Sequence, residues 1–547
     1  KEGQDVVLFV DLGRTMPGTI ELEANPPAGV SISFDLGEAM MQRHKYAADV
    51  APDGTRLRFR PMIKHAGWTS LRYAWIRFEN ITAPFTLYGM NGVYQVRPSN
   101  YVGNFECSDE QLNRIWEMCA YSVHAVMGQP VGNDPAPKPV LQTLCVDRVD
   151  RYPWAGDSRI MQTVAEYVFG EFELVRRANE RFIPTGKRPL PTLNSIPPYM
   201  LDWALALVDH YRTSGDGEHF RQRIPDLLQL MEDFDPYPEL KKGWYFFDWD
   251  LRMPNVDSNK LPNIQEKGAY IGKYIQMCRE AAEAADIAGD KSASELFANK
   301  ADDYTKRLRD EHPDRIQAFG LHAHTNLILG NVPLPEEQQS IYNNVYADRA
   351  LRCSQTPYFG IYIVRALAKI GRWDKAVEMM RDYWGTMIQA GATSTWEEWL
   401  PTWQMPVGSL PPQYEPPIAW SGLSLLQPAG AGPAQWLISE ITGIKPEQPG
   451  FSSIRIEPHP AGLTWAKGTA ATPYGRIVSS WKITSSGTMD VEWDAPEECQ
   501  SVLLVLPQGK TYRMDNKKVT PYKVQDGKAY FNMPSGKHTA GVIRLVN

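Results

Sequence analysis

The spacing of apolar residues changes twice along this 547-residue chain, and each change rules out a class of local structure. From Val6 to about Val102 apolar residues alternate, as in Ile20/Leu22, Val30/Ile32/Phe34, Leu57/Phe59 and Leu71/Tyr73/Trp75. Turns such as "NPPAG" and "PDGT" separate these runs. Residues two apart share one face of a strand, so the stretch predicts a mostly antiparallel β-sandwich. At Ser108 the period becomes helical. "SDEQ" predicts a capping box, with Ser108 as N-cap and Gln111 three positions later. Leu112, Ile115, Trp116, Cys119, Val123 and Val126 then follow one helical face. Ile271–Ala285 and Leu296–Leu308 repeat the pattern, and 361–370 closes on Gly371, a C′ glycine by position. Helices joined by Pro- and Trp-bearing loops predict an α/α barrel over 104–448. From Phe451 alternation returns in Ile454/Ile456, Met489/Val491/Trp493 and Val502/Leu504. With the boundary at "EQPG", the expected organisation is an N-terminal β-sandwich (1–103), a helical barrel (104–448) and a C-terminal antiparallel β-sandwich (449–547).

Several classes of function fall away on composition. The net charge is −7 and no run of Lys or Arg forms a basic stripe, which argues against nucleic acid as a partner. No apolar run reaches the ~18 residues that span a bilayer. The opening "KEGQDVVLF" is not a signal peptide, and a processed exported chain would look the same. The six cysteines are scattered without a CxxC, so neither a disulfide framework nor a zinc site is expected from their spacing. His322 and His324 in "LHAHTNL" form a lone HxH, a weak signal. No metal and no cofactor are expected.

The helical region four times sets acids beside aromatics: "DRVDRYPWAGD", "MLDWALA", "WYFFDWDLRMPN" and "GATSTWEEWLPTW". None shows a clean helical stripe around its acids, so all four predict loops or helix ends at one mouth. The chemistry that fits is glycoside hydrolysis. Sugars present C–H faces to rings and hydroxyls to carboxylates. One carboxylic acid protonates the leaving oxygen while a second carboxylate attacks or activates water. A Trp beside the acid lowers local polarity and raises its pKa. Each motif has a plainer reading. Asp157 after Gly156 can cap a helix. Arg148 and Arg151 can pair with nearby carboxylates, and "WEEW" can be a helix with solvated glutamates.

At these residues the chain resembles the α-L-rhamnosidases of glycoside hydrolase family 78. The family's acid motif, C-P-Q-R-D-E-R-L-G-W-T-G-D, is matched in register by Cys145, Arg148, Arg151, Trp154, Gly156 and Asp157. Its base motif, T-x-W-E-x-W, is matched by Thr393–Trp399, and "YVGNFECSDEQLNRIWEMCAYSV" and "GPAQWLISEITGIKPEQPGFSSIRIEPHP" are similar to segments flanking the family's barrel. The likeness runs from about residue 70 to 485. It implies an (α/α)6 barrel between β-sandwiches and inversion at the anomeric carbon, with carboxyls roughly 6.5–9.5 Å apart. The general acid falls on Asp150 and the general base on Glu397. The implied sugar contacts are Asp147, Arg151, Trp154, Asp157, Trp203, Asp248, Trp249, Trp396, Trp399 and Gln427. The chain departs from the pattern at several of them. The acid is Asp, one methylene shorter than the family's Glu; Val149 and Leu144 replace aspartates; Gln427 replaces a histidine; and Asp147 is new at a Gln position. Retained hydrolysis with altered specificity follows, the sugar being L-rhamnose, another deoxy-sugar, or a uronic acid read by Arg148 or Arg151.

The expected function is therefore that of an inverting, exo-acting hydrolase removing a terminal α-L-rhamnose or related sugar from an oligosaccharide or polysaccharide. A catalytically degenerate sugar-binding protein on the same fold is the alternative. A polysaccharide lyase is a third reading, but no Tyr, His or Lys base accompanies the paired motifs. The resemblance also implies a secreted, periplasmic or cell-surface location.

Overall fold

A computed structural model describes residues 5–39, 43–63, 69–128, 143–144, 154–182, 196–237, 239–248, 259–353, 355–399 and 424–545. The N-terminal strands form one connected six-stranded antiparallel sheet, organised around the long first strand Val6–Ala24. The first part of that strand pairs with Thr69–Glu79, and its second part with Leu57–Phe59 and Leu87–Tyr94. Phe59 packs against Phe34 and Phe78, so the ends of the sheet meet across a shared apolar core. The register shifts between Asp11 and Met16. This shift changes which residues of Thr69–Glu79 face inward: Leu71, Ala74, Ile76 and Phe78 are buried. The expected grouping Leu71/Tyr73/Trp75 is thus split. Tyr73 and Trp75 pack on the opposite side against Phe9.

The helical region begins one residue later than its capping motif predicts. Asp109 is the N-cap of Glu110–Val126, accepting from the backbone N–H of Gln111 and Leu112. Ser108 instead accepts from the Thr464 N–H of the C-terminal domain. Two periodic stretches are helices as expected, Ile264–Ile287 and Lys291–Glu311, and the helix Pro357–Lys369 is followed by Gly371 at φ 78°. Helix packing runs in order from Ala155–Val164 to Pro197–Ser214, Ile264–Ile287, Leu321–Leu329 and Pro357–Lys369. It returns to the first of these through the 428–436 segment. Almost every residue of Pro197–Ser214 is buried, as a helix inside such a series must be.

The C-terminal domain pairs a five-stranded with a seven-stranded sheet. Two differences from a plain antiparallel sandwich stand out. Ser453–Ile456 runs parallel to Ser501–Pro507. The domain also takes strands from both sides of the helical region: Asn104–Cys107 pairs with Trp465–Thr472, and Ile444–Pro446 with Ser453–Ile456. Helical and C-terminal residues share one continuous apolar core, whereas the N-terminal sheet keeps its own. No helix among the described residues is long and apolar enough to cross a membrane.

Candidate active site

The segment Thr393–Trp399 is not helical, although its composition allows a helix. Its backbone is claimed by a neighbouring stretch. Glu397 N–H donates to the Ser424 carbonyl at 2.9 Å, and Gln427 N–H to the Thr395 carbonyl at 2.7 Å. The Ser394 and Thr395 hydroxyls donate to the Leu425 and Gln427 carbonyls. The Ser424 N–H then reaches Oε2 of Glu397 at 2.8 Å, so the same pairing that shapes the backbone orients the carboxylate. The N-terminal sheet braces this arrangement from outside. Buried Glu38, just past the strand Ser31–Gly37, accepts from the Leu425 N–H at 2.6 Å and from the Ser424 hydroxyl at 3.4 Å.

The two tryptophans of the motif differ. Trp396 is half-buried. It meets Trp399 edge-on, with ring centroids 5.3 Å apart. Trp399 is buried, its indole N–H donates to the Thr386 hydroxyl, and its carbonyl accepts from the Tyr383 hydroxyl at 2.6 Å. Trp399 therefore holds the segment down, and Trp396 is the ring with surface to offer. Between them Glu398 is pushed up to about 7, first by burial and then by the neighbouring Glu397 and Asp248 carboxylates.

Asp248 is buried and held from two helices. Thr356, the N-cap of Pro357–Lys369, gives it both backbone N–H and hydroxyl, and Nε2 of His322 lies 3.0 Å from Oδ2. It is 1% exposed. The expected HxH pair separates accordingly: His322 meets Asp248, and His324 meets the Ile316 carbonyl.

Trp154 and Asp157 open the helix Ala155–Val164, with Trp154 as N-cap. Asp157 lies in the first turn and is not the cap; its Oδ2 accepts from the Tyr199 hydroxyl at 2.9 Å. Gly156 is required here, because a Cβ would come within 2.3 Å of the Tyr199 ring. Trp154, Phe246 and Tyr358 all pack against Tyr199, making an aromatic group around Asp157. Asp147, Asp150, Arg151 and Trp249 lie outside the described residues.

Two expectations change. "MLDWALA" is not a loop: Asp202 and Trp203 sit within Pro197–Ser214. Trp203 is 1% exposed, and its indole N–H donates to the Asn179 carbonyl. A ring with no exposed face offers a sugar nothing to stack on, so Trp203 is packing. Gln427 pairs through its backbone with the Glu397 segment, and its side chain caps the turn Pro428–Gly430. Tyr199, Tyr358, Thr356, Glu38 and Ser424 carried no signal in the sequence, and His322 only the weak one of its HxH. Each acts through a partner far along the chain.

The arrangement brings together an oriented carboxylate, a second carboxyl with raised pKa, and the half-buried Trp396 ring. Residues 100–407 match a family model described as the bacterial alpha-L-rhamnosidase 6 hairpin glycosidase domain, and residues 443–520 match the bacterial alpha-L-rhamnosidase C-terminal domain. An alpha-L-rhamnosidase of Formosa agariphila is 30% identical over 476 residues, covering 79% of this chain and 47% of the relative. One of Alteromonas sp. is 30% identical over 536 residues, covering 90% and 55%. The chain thus spans about half the length of the curated relatives it matches. The GH78 rhamnosidase structure of Bacillus sp. GL1 superposes with a TM-score of 0.72 at 22% identity, covering 92% of this chain and 53% of that one, which is a likeness of fold.

Proposed function

Since the chain belongs to glycoside hydrolase family 78, the α-L-rhamnosidases, we propose that it hydrolyses a terminal α-L-rhamnosyl or closely related linkage of an oligosaccharide, with inversion. The observation that carries this reading is the fixed Glu397 carboxylate, oriented by the Ser424 N–H within the matched base motif. In this reading Glu397 takes a proton from water as that water attacks the anomeric carbon. Asp150 gives a proton to the departing glycosidic oxygen. Trp154 and Trp396 supply ring faces for the sugar, and Asp157 accepts from a hydroxyl. The cyclic order of helix packing supports an (α/α)6 barrel as the frame. Export to the periplasm or cell surface fits a glycan substrate and is part of the proposal.

A second assignment of the acid rests on Glu398. A carboxyl raised to about 7 is half protonated at neutral pH, which suits a proton donor, and Asp150 is one methylene short of the family's Glu. The test is hydrolysis of p-nitrophenyl α-L-rhamnoside and a panel of other p-nitrophenyl glycosides by wild type, Asp150→Asn, Glu398→Gln and Glu397→Gln. The anomer first released is read by NMR. Loss in Asp150→Asn and Glu397→Gln with a β-anomeric product supports the proposal. Loss in Glu398→Gln with activity kept in Asp150→Asn moves the acid. Sugar binding without turnover by wild type favours the degenerate binding protein.

A further inference from the structure

At the far end of the helix Pro197–Ser214 lies a second cluster, roughly 16 Å along the axis from Tyr199. The helix ends in a tight turn, with Gly215 at φ 73°, and Gly217–Asp233 follows at once. The turn brings together His210 from the last part of the first helix, His219 from the first turn of the second, and Asp216, the cap between them. One donor atom from each lies within 4.8 Å of the other two. Both histidines are more than nine-tenths buried, and Nε2 of each is closed to solvent with no hydrogen-bond partner among the described residues.

The second nitrogen of His210 is committed. Nδ1 lies 2.5 Å from Oε1 of buried Glu166, whose other oxygen accepts from the Thr213 hydroxyl. An Nδ1–H given to a carboxylate fixes the tautomer and leaves the Nε2 lone pair facing outward from that pair. Proteins orient metal-binding histidines in this way. A buried nitrogen with no partner costs about 1–3 kcal/mol, and two of them beside one carboxylate are hard to explain as packing. Glu180, which also accepts from Arg176, places Oε1 3.8 Å from His219 Nε2 and stands within reach as a fourth ligand.

We propose that His210, Asp216 and His219 bind one Zn2+ ion, with Glu180 or water completing a tetrahedron. Two imidazoles with one or two carboxylates suit zinc and disfavour the oxygen-seeking Mg2+ and Ca2+. The ion would be structural. The turn it closes packs on the start of the C-terminal domain: a Cβ on Gly215 would lie 2.9 Å from the Gly450 Cα, and Tyr167 meets Phe451 edge-on nearby. Zinc there staples the helical domain at its junction with the C-terminal sheets.

The experiment strips the full chain with a chelator and titrates Zn2+ against a chromophoric competitor, with melting followed in parallel. One equivalent binds at micromolar Kd or tighter, and Tm rises by several degrees. His219→Gln abolishes both effects, and Glu166→Gln weakens binding by about ten- to a hundredfold. Asp216→Asn keeps a side chain able to cap the helix, so it weakens binding in a folded protein even if a histidine variant fails to fold. Co2+ added to stripped wild type gives the intense visible absorption of a tetrahedral site. No saturable binding by wild type, a weak octahedral Co2+ spectrum, or unchanged affinity in both His219→Gln and Asp216→Asn overturns the proposal.

Discussion

Two groups of acids in the helical domain are compensated in opposite ways. Asp202 is fully buried, and Lys273 Nζ meets both its oxygens at 2.8 and 2.7 Å. Arg159 lies 3.5 Å away, and the Tyr358 and Tyr362 hydroxyls complete the cage at 3.4 Å. Glu398, by contrast, is pushed up to about 7, first by burial and then by the neighbouring Glu397 and Asp248 carboxylates. The sequence dressed both in the same way, an acid beside Trp. Charge that is neutralised on the spot braces a fold. Charge crowded against like charge is held ready to gain or lose a proton, which is what acid–base chemistry uses.

The sharpest way to break this contrast is Glu397→Gln. The exchange is nearly isosteric, so the fold persists while hydrolysis falls about 10²–10⁴-fold, read as kcat/KM on the best substrate of the glycoside panel. Activity within a few-fold of wild type would remove Glu397 as base. On the other side, Lys273→Met leaves Asp202 in the core with Arg159, at 3.5 Å, as the remaining cation of its cage. A loss of about 3–5 kcal/mol in urea unfolding is expected, partly recovered when Asp202→Asn is added. No change in the single variant would mean that the cage does not brace the fold.

Smaller effects sharpen the comparison. Unfolded Glu398 titrates near its ordinary 4.5 and the folded group near about 7. The native state holds the extra proton between these values, so this contribution to stability is full below about 4.5 and is lost as pH rises through about 7. The Tm of wild type should therefore fall over that window relative to Glu398→Gln; parallel Tm curves would dispose of the raised carboxyl. Smallest is Glu38→Gln, which weakens the brace from the N-terminal sheet onto Leu425. It should cost about 1 kcal/mol of stability and lower kcat several-fold with KM little changed. An unaltered kcat would reduce Glu38 to packing.

Glu38 also shows what the two β-rich regions do differently. The C-terminal sheets merge with the helical core, sharing strands and one apolar cluster, whereas the N-terminal sheet keeps its own core and touches the helical domain through particular contacts. Besides Glu38, these include Thr15 N–H to the Thr393 hydroxyl and Tyr121 hydroxyl to the Thr15 carbonyl. Both lie next to the segment carrying Glu397.

The sequence by itself determined where strands give way to helices and where strands return, because a period of two or 3.6 is a local property written into every few residues. The resemblance to family 78 also marked Glu397, Trp154 and Asp157 as candidates. Tertiary structure alone decided which acids are braced and which are poised. Asp202 and Lys273 stand 71 residues apart, Asp248 and Thr356 108 apart, and Glu38 and Leu425 387 apart. Trp203 was misread for the same reason: in a helix buried on nearly all sides, no polar face tells a pocket residue from a packed one. His210, Asp216 and His219 are close in sequence, yet only the turn at Gly215 brings their donor atoms within 4.8 Å of one another, and only the fold supplies His210 with its partner Glu166, 44 residues away. A carboxylate's role depends on the charges within a few ångströms of it, and those neighbours are chosen by the fold.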